Sequence, residues 1–169
     1  MNADERGFKH RELTEKIIGV FYDVYNELGH GFLESVYEEA MAIALGQAGI
    51  QVERQVPLKV IFRGMVVGDF RADVIVEGAV ILELKAASGI DPAHEAQLLN
   101  YLRATEIEVG LLLNFGPRPQ FKRLAFENSR KQIRVNLRLG FSQIPSQLEL
   151  YWYEFRWCLP RGGRNLLPG

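Results

Sequence analysis

Apolar residues recur at helical spacing in the first third of the chain. Between residues 10 and 28 they return every third or fourth position, which predicts one helix with a single apolar stripe, ended by Gly29. A second helix is predicted over residues 33–48, where Gly49 follows its last turn. The residues expected to face inward are Leu13, Ile17, Phe21, Val24 and Leu28 in the first helix, and Val36, Tyr37, Ala40, Ala44 and Leu45 in the second.

The rest of the periodic sequence is typical of strands with one further helix. Residues 51–56 and 58–62 predict two strands, or one strand interrupted at Pro57. Two β-branched runs within residues 64–85 meet at Glu77-Gly78 and predict a hairpin. Asp91-Pro92 predicts the start of a helix that continues to about residue 103. Residues 109–115 predict a strand covered on both faces, and residues 121–126 an edge strand.

The hairpin carries charges where a core would contain aliphatic residues. Because alternate residues of a strand share a face, Glu83 and Lys85 should project together with Ile81. Asp73 can join them only across a loop of odd length or a bulge, so we predict one of these at the turn. Since burial of unpaired charge is costly, the cluster indicates either a bound divalent cation or a cross-strand salt bridge.

Four motifs occur in order along the chain: Gly31, Glu34 and Tyr37; Asp73; Glu83, Leu84 and Lys85; and Gln97 and Tyr101. Together they resemble the GxxExxY proteins, a branch of the PD-(D/E)XK nuclease superfamily. The similarity extends from about residue 12 to residue 126. It implies a restriction-endonuclease-like α/β core in the order α-β-β-β-α-β, with an additional N-terminal helix. It also implies a Mg²⁺-dependent nuclease acting on DNA; the alternative is a non-catalytic nucleic-acid-binding or protein-interaction module on the same scaffold.

The resemblance assigns the central residues to a metal site. Mg²⁺ or Mn²⁺ would be held by Asp73, Glu83 and the backbone carbonyl of Leu84, because hard cations prefer oxygen ligands. Lys85 would be the catalytic lysine, as a charge or as a base. Glu34 would be an auxiliary acid; its simpler role is to stabilise the start of the second helix.

Three further residues are expected near the substrate. Gln97 and Tyr101 are neighbours on one helical face and would position substrate, although they could simply bridge helix and sheet. Arg71 is expected on the strand face of Asp73, where it would contact phosphate or neutralise the acids.

Charge is unevenly distributed in a chain whose net charge is only -1. Between residues 118 and 138 seven basic residues accompany one acid, which predicts contact with a nucleic-acid backbone. A solvated surface strip is the alternative. The nucleic-acid-binding residues expected there are Arg118, Lys122, Arg123, Arg130, Lys131 and Arg134.

Length and composition suit a folded domain: 169 residues, 47% hydrophobic and 24% charged. We expect a nuclease-like domain over residues 1–126 and a basic, aromatic extension over residues 127–169 that packs on it and frays at its end. The aromatic segment could instead bind a protein partner or a second copy. No apolar run reaches the ~18 residues of a membrane span, so we expect a cytoplasmic protein without membrane contact. A lone Cys158 excludes an internal disulfide.

Overall fold

The computed structural model describes residues 9–131, which form a mixed α/β structure. Its helices are α1 (Arg11–Leu28), α2 (Glu34–Gln47) and α3 (Pro92–Arg103), followed near the end by a 3-10 turn at Asn128–Arg130. Its strands are β1 (Val52–Phe62), β2 (Met65–Val76), β3 (Val80–Lys85), β4 (Val109–Asn114) and β5 (Gln120–Ala125). The expected α-β-β-β-α-β order, with an additional N-terminal helix, is confirmed.

The five strands form one sheet in the order β1-β2-β3-β4-β5, and only β3 and β4 run parallel. The chain enters β4 after α3, which is the crossover that a parallel pair requires. Residues 52–62 form a single strand in which Pro57 lies opposite Arg71. Because β1 is at the edge of the sheet, a residue without a backbone N–H is tolerated there.

Helices cover both faces of the sheet. The first cluster joins α1 and α2 to one face, through residues such as Phe21, Tyr37 and Leu82. The second cluster joins α3 to the other face, through residues such as Ile81 and Leu98. Each face of β3 and β4 therefore lies in a core, which explains why both strands are apolar at consecutive positions.

Two inward-facing predictions for the first helices were wrong. Val36 is 39% exposed, and Leu28 at the end of α1 is also exposed. The buried stripe of α2 contains Tyr37, Met41 and Leu45 at four-residue spacing, and Val36 lies beside this stripe.

The β2–β3 connection has the odd length that we predicted. Val76 pairs with Val80, so three residues lie between the strands. Glu77 and Gly78 both have positive φ values, 52° and 61°, and the amide of Ala79 donates to the carbonyl of Val76. This register places Ile75 opposite Ile81.

Pairing between β2 and β3 ends at Val74 and Leu82, whereas β3 continues beside β4 as far as Lys85 and Asn114. Strand β2 instead continues toward the β1–β2 turn, paired with β1. The C-terminal half of β3 is therefore open on the side that β2 leaves.

The loop that follows β3 is held against the end of β4. The side chain of buried Asn114 accepts a hydrogen bond from the Ala87 amide at 2.9 Å and donates one to the Ala87 carbonyl at 3.0 Å. A Cβ on Gly116 would lie 1.8 Å from the same carbonyl oxygen, so only glycine fits there. The loop then leads to Asp91, which caps α3 by accepting from the Ala93 amide at 2.7 Å.

Most of the expected extension over residues 127–169 lies outside the described residues, including Arg134, Cys158 and the aromatic segment near residues 151–157. Within residues 9–131, no helix is both long enough and apolar enough to span a bilayer.

Candidate active site

Asp73 lies where β2 separates from β3. Its Oδ2 accepts a hydrogen bond from the backbone N–H of Leu84 at 2.8 Å, so the carboxylate occupies the position that a ladder carbonyl would otherwise take. Burial raises the pKa of Asp73, as do the charges of Glu38 and Glu34, although the Leu84 amide and Lys85 act in the opposite direction. The residue is thus close to several acids and one base.

Glu83 is the most deeply buried acid of the cluster, at 1% exposure. Its Oε1 accepts from Lys85 Nζ at 2.7 Å. Its Oε2 is buried and has no hydrogen-bond partner within the described structure. Burial, together with the charge of Asp73, raises the pKa of Glu83 to about 7. The expected clustering of Asp73, Glu83 and Lys85 is therefore present, and one buried oxygen lacks a partner.

Lys85 is half-buried beside these carboxylates. Burial lowers its pKa, but the hydrogen bond to Glu83 and the charges of Glu83, Glu34 and Asp73 outweigh burial, so the pKa is raised. The side chain is consequently an ammonium at neutral pH. A salt bridge and a functional role as a positive charge are both compatible with this geometry.

Glu34 and Tyr37 start α2 close to the end of β3. The Oε1 of Glu34 accepts from the Ala86 amide at 3.3 Å, which brings the first turn of α2 beside the residue after Lys85. Tyr37 is buried; its hydroxyl donates to the Gly29 carbonyl at 3.0 Å and accepts from the Phe32 amide at 3.2 Å. Tyr37 therefore fixes the turn that positions Glu34.

Gln97 and Tyr101 reach the site from α3. The Gln97 Nε2 donates to the Tyr101 hydroxyl at 2.8 Å. Burial raises the pKa of Tyr101, and the charges of Glu83 and Asp73 raise it further. The pair lies in the electrostatic range of both acids, as expected for neighbours on the inner face of α3.

Arg71, which the simple strand pattern predicts on the face of Asp73, lies where that pattern is irregular. Ala72 and Ile75 both pack in the second cluster although they are three residues apart, so the alternation of side chains is interrupted near Asp73. Arg71 directly precedes Ala72 in β2. It is exposed, and within residues 9–131 it forms no ion pair with either site carboxylate.

The basic residues after β4 differ in their surroundings. Lys122 pairs with Glu95 at 2.6 Å, Arg123 donates to the Lys9 carbonyl at 2.8 Å, and Arg130 lies 3.8 Å from Glu127. Arg118 is exposed. Lys131 is half-buried and donates to the carbonyls of Thr105 and Ile107 at 2.7 and 2.9 Å. Lys131 thus holds the loop after α3, which competes with the phosphate contact that we expected from it.

Sequence reasoning missed Glu38. It is only 6% exposed, and its charge is one of the causes that raise the pKa of Asp73. Its oxygens accept from Arg54 Nε at 3.0 Å and from Gln55 Nε2 at 2.6 Å. A signal was available: Glu38 falls on the buried stripe of α2, three residues before Met41, where an acid is unusual.

The donor set fits a hard divalent cation. Within the described range, no three His, Cys, Asp or Glu side chains are grouped to hold one ion. The available donors are instead the carboxylates of Asp73 and Glu83 and the Leu84 carbonyl. Because the N–H and C=O of one strand residue point to the same side, the Leu84 carbonyl also faces the side that β2 leaves. Oxygen donors suit Mg²⁺ or Mn²⁺, and the partnerless Glu83 Oε2 is a free ligand atom.

Comparison with known proteins shows which family the sequence matches. Residues 11–124 match the family model of the PD-(D/E)XK nuclease superfamily. Among solved structures, the chain is similar to one described as "Crystal structure of SSO0001", with 21% sequence identity and a TM-score of 0.44. That match covers 73% of this chain, and the chain spans only 62% of the other. No curated protein matches the sequence.

Proposed function

This chain belongs to the PD-(D/E)XK nuclease superfamily, and we propose that it hydrolyses phosphodiester bonds in DNA with Mg²⁺ or Mn²⁺. We also assign it to the GxxExxY branch, on the strength of Gly31, Glu34 and Tyr37 at the start of α2. DNA as the substrate is proposed from family analogy.

One observation carries the proposal. The buried carboxylate of Glu83, the half-buried carboxylate of Asp73 and the ammonium of Lys85 lie at the opening between β2 and β3. Glu83 Oε2 has no partner in the described part of the chain. A purely structural salt bridge would not need a second carboxylate, because a buried unpaired oxygen costs about 1–3 kcal/mol. A cation-binding role accounts for both carboxylates at once.

The chain's own residues then have distinct tasks. Asp73, Glu83 and the Leu84 carbonyl would hold the cation, which when bound supplies Lewis-acid stabilisation of phosphate charge and acidifies water. Lys85 would place a positive charge beside the scissile phosphate, since its pKa is raised. Glu34 reaches the backbone of Ala86 and would accept hydrogen bonds from ordered water near the attacked phosphate.

Gln97 and Tyr101 would orient the substrate from α3. Their mutual hydrogen bond fixes the Tyr101 hydroxyl, and orientation of a reacting group is a major source of rate enhancement. Phosphates further along the bound DNA strand would contact Arg71, Arg118, Lys122, Arg123, Arg130 and Arg134.

A cleavage assay tests the proposal. Wild-type protein should cut single-stranded, duplex or branched DNA only when Mg²⁺ or Mn²⁺ is added. Lys85→Ala should lower the rate by about 10²- to 10³-fold, as expected for loss of one preorganised charge. Glu83→Ala should abolish cleavage at millimolar metal. The matched control is Lys59→Ala, because Lys59 is an exposed lysine of β1.

The alternative is a non-catalytic binding module. That function would be supported if the wild type bound DNA but cut neither DNA nor RNA with any divalent cation. Equal rates for wild type and Lys85→Ala would identify a contaminating nuclease and would contradict the proposal.

A further inference from the structure

Gln55 has an unusual backbone for a residue inside a strand. Its φ is 50°, in the left-handed region that side chains other than glycine rarely adopt. It belongs to β1, where its neighbours Arg54 and Val56 are paired normally with β2. Such a conformation costs of order 1 kcal/mol per residue and persists only where surrounding contacts impose it.

The position opposite Gln55 is Asp73. Arg54 pairs with Val74 and Val56 pairs with Ala72, so the register is continuous while the intervening pair, Gln55 with Asp73, is missing. The alternation of β2 side chains is interrupted at the same place. The reversed backbone at Gln55 therefore coincides with the point at which Asp73 turns toward β3 and accepts from the Leu84 amide.

Glu38 supplies the contact that holds Gln55. Its Oε2 accepts from the Gln55 side chain at 2.6 Å, while its Oε1 is bound by Arg54 at 3.0 Å. Arg54 is also paired with Glu39, so this arginine has a second acidic partner. A carboxylate that is 6% exposed and hydrogen-bonded through both oxygens is a rigid anchor.

We propose that Glu38 and Gln55 are positioning residues of the active site. The hydrogen bond from Gln55 to Glu38 stabilises the reversed backbone of Gln55, which opens the β1–β2 ladder opposite Asp73 and frees that carboxylate to reach across to β3. The consequence for cation binding rests on the proposed function; the consequence for the Leu84 amide does not.

Two substitutions at Gln55 separate the effect of its backbone conformation from the effect of losing its side chain. Gln55→Gly allows the positive φ without strain, whereas Gln55→Val strongly disfavours it, because a β-branched residue is an outlier in that region. The first readout is hydrogen exchange at the Leu84 amide, relative to the Leu82 amide on the same edge of β3. The second is Mn²⁺ affinity by calorimetry.

Gln55→Gly should leave the exchange ratio within about twofold of the wild type, and Gln55→Val should raise Leu84 exchange about tenfold or more while Leu82 stays protected. Mn²⁺ affinity should fall about 10- to 100-fold in Gln55→Val only, the usual effect of losing a group that orients a ligand. Arg63→Val is the matched control, since Arg63 has the same φ of 50° in the β1–β2 turn; it should change neither readout.

Glu38 is tested by rescue. Glu38→Ala should expose the Leu84 amide as Gln55→Val does, and the double variant Glu38→Ala with Gln55→Gly should restore its protection, because glycine no longer needs the anchor. Unchanged Leu84 exchange in Gln55→Val, or failure of the double variant to recover, would overturn the proposal. If the wild type binds no Mn²⁺, the proposed function fails, and the Leu84 ratio alone decides the positioning role.

Discussion

The two halves of β3 both contain buried residues, but burial has opposite consequences in each. In the first half, Leu82 is 0% exposed, pairs with Val74 on one side and Leu111 on the other, and contributes to the first cluster. In the second half, Glu83 is 1% exposed but no longer has a β2 partner beside it, and one of its oxygens is unbound within the described residues. Burial stabilises the first half and disfavours the charged state of the second.

The two halves differ because β2 pairs with the first half of β3 and separates from it before the second half. Where two strands flank β3, backbone groups are satisfied by the ladders and side chains can be aliphatic. Where β2 leaves, the Leu84 amide is satisfied by the Asp73 carboxylate instead. A stable central strand thus carries a destabilised site at its end, which agrees with the common trade-off between stability and activity.

The largest expected effect concerns the first half of β3. Leu82→Ala should lower the free energy of unfolding by about 3 kcal/mol, because it removes buried methyl groups and leaves a cavity under α1 and α2. Urea denaturation measures the change. The matched control is Leu33→Ala, since Leu33 is 76% exposed; a loss of similar size there would contradict the assignment of stability to the core.

In the second half of β3, Glu83→Gln should stabilise the metal-free protein, because it removes a buried charge. The folded state keeps the Glu83 proton up to about pH 7, because burial and the charge of Asp73 raise the pKa of this carboxyl to about 7 from its ordinary value of 4.5. Between these values the folded state binds more protons than the unfolded state, so stability falls as the pH rises through this window and does not recover above it. At about 1.4 kcal/mol per unit, the ceiling of this loss is about 3 kcal/mol.

Glu83→Gln should therefore raise the melting temperature at pH 8 and have little effect at pH 4. The pH series of melting curves is the measurement, without added metal. Glu27→Gln, at an exposed position of α1, serves as the control and should leave the profile unchanged. A variant that is less stable than the wild type at pH 8 would show that Lys85 compensates the buried charge fully.

A bound divalent cation should offset the destabilisation that the buried Glu83 charge causes in the second half of β3. Binding to the folded state alone adds about 1.4 kcal/mol of stability when the free metal is tenfold above its Kd. The melting temperature at pH 8 should rise with Mn²⁺, less so at pH 6 where Glu83 is largely protonated. Asp73→Asn should remove the shift. An unchanged wild-type curve at millimolar Mn²⁺ would count against the cation site.

The order of helices and strands could be predicted from the sequence, because each element is marked by residues close to it along the chain. Asp91-Pro92 predicts the start of α3, and the requirement that Asp73 meet Glu83 predicts the odd loop length that the β2–β3 register shows. Both depend on residues close in sequence, or on strand alternation. The family motifs then identified the acids and lysine that the structure brings together.

The sequence alone could not reveal hydrogen-bond partners that lie far apart along the chain. Glu38 is held by β1 residues 16 and 17 positions away, and the positive φ of Gln55 has no composition signal such as glycine or asparagine. The apolar pattern predicts Val36 inward, because an apolar side chain is compatible with either face near a helix start. In each case the tertiary contact, and not the local preference, decides.

The smallest expected effects concern two adjacent cations, Arg130 and Lys131. Like the two halves of β3, they are neighbours in sequence but lie in different surroundings. Lys131 is bound to two carbonyls and burial lowers its pKa; Lys131→Ala should cost about 1 kcal/mol of stability through those lost bonds. Arg130 is exposed and 3.8 Å from Glu127; Arg130→Ala should change stability by less than about 0.5 kcal/mol.

If Arg130 contacts a phosphate, its loss should flatten the log–log salt dependence of duplex DNA binding by about 0.9, while Lys131→Ala leaves the slope unchanged. Binding would be measured without divalent metal in the Lys85→Ala background, so that cleavage does not interfere. Equal slopes for both variants and their parent would remove Arg130 from the proposed DNA path, and a flattened slope for Lys131→Ala would show that this lysine leaves its carbonyl partners when DNA binds.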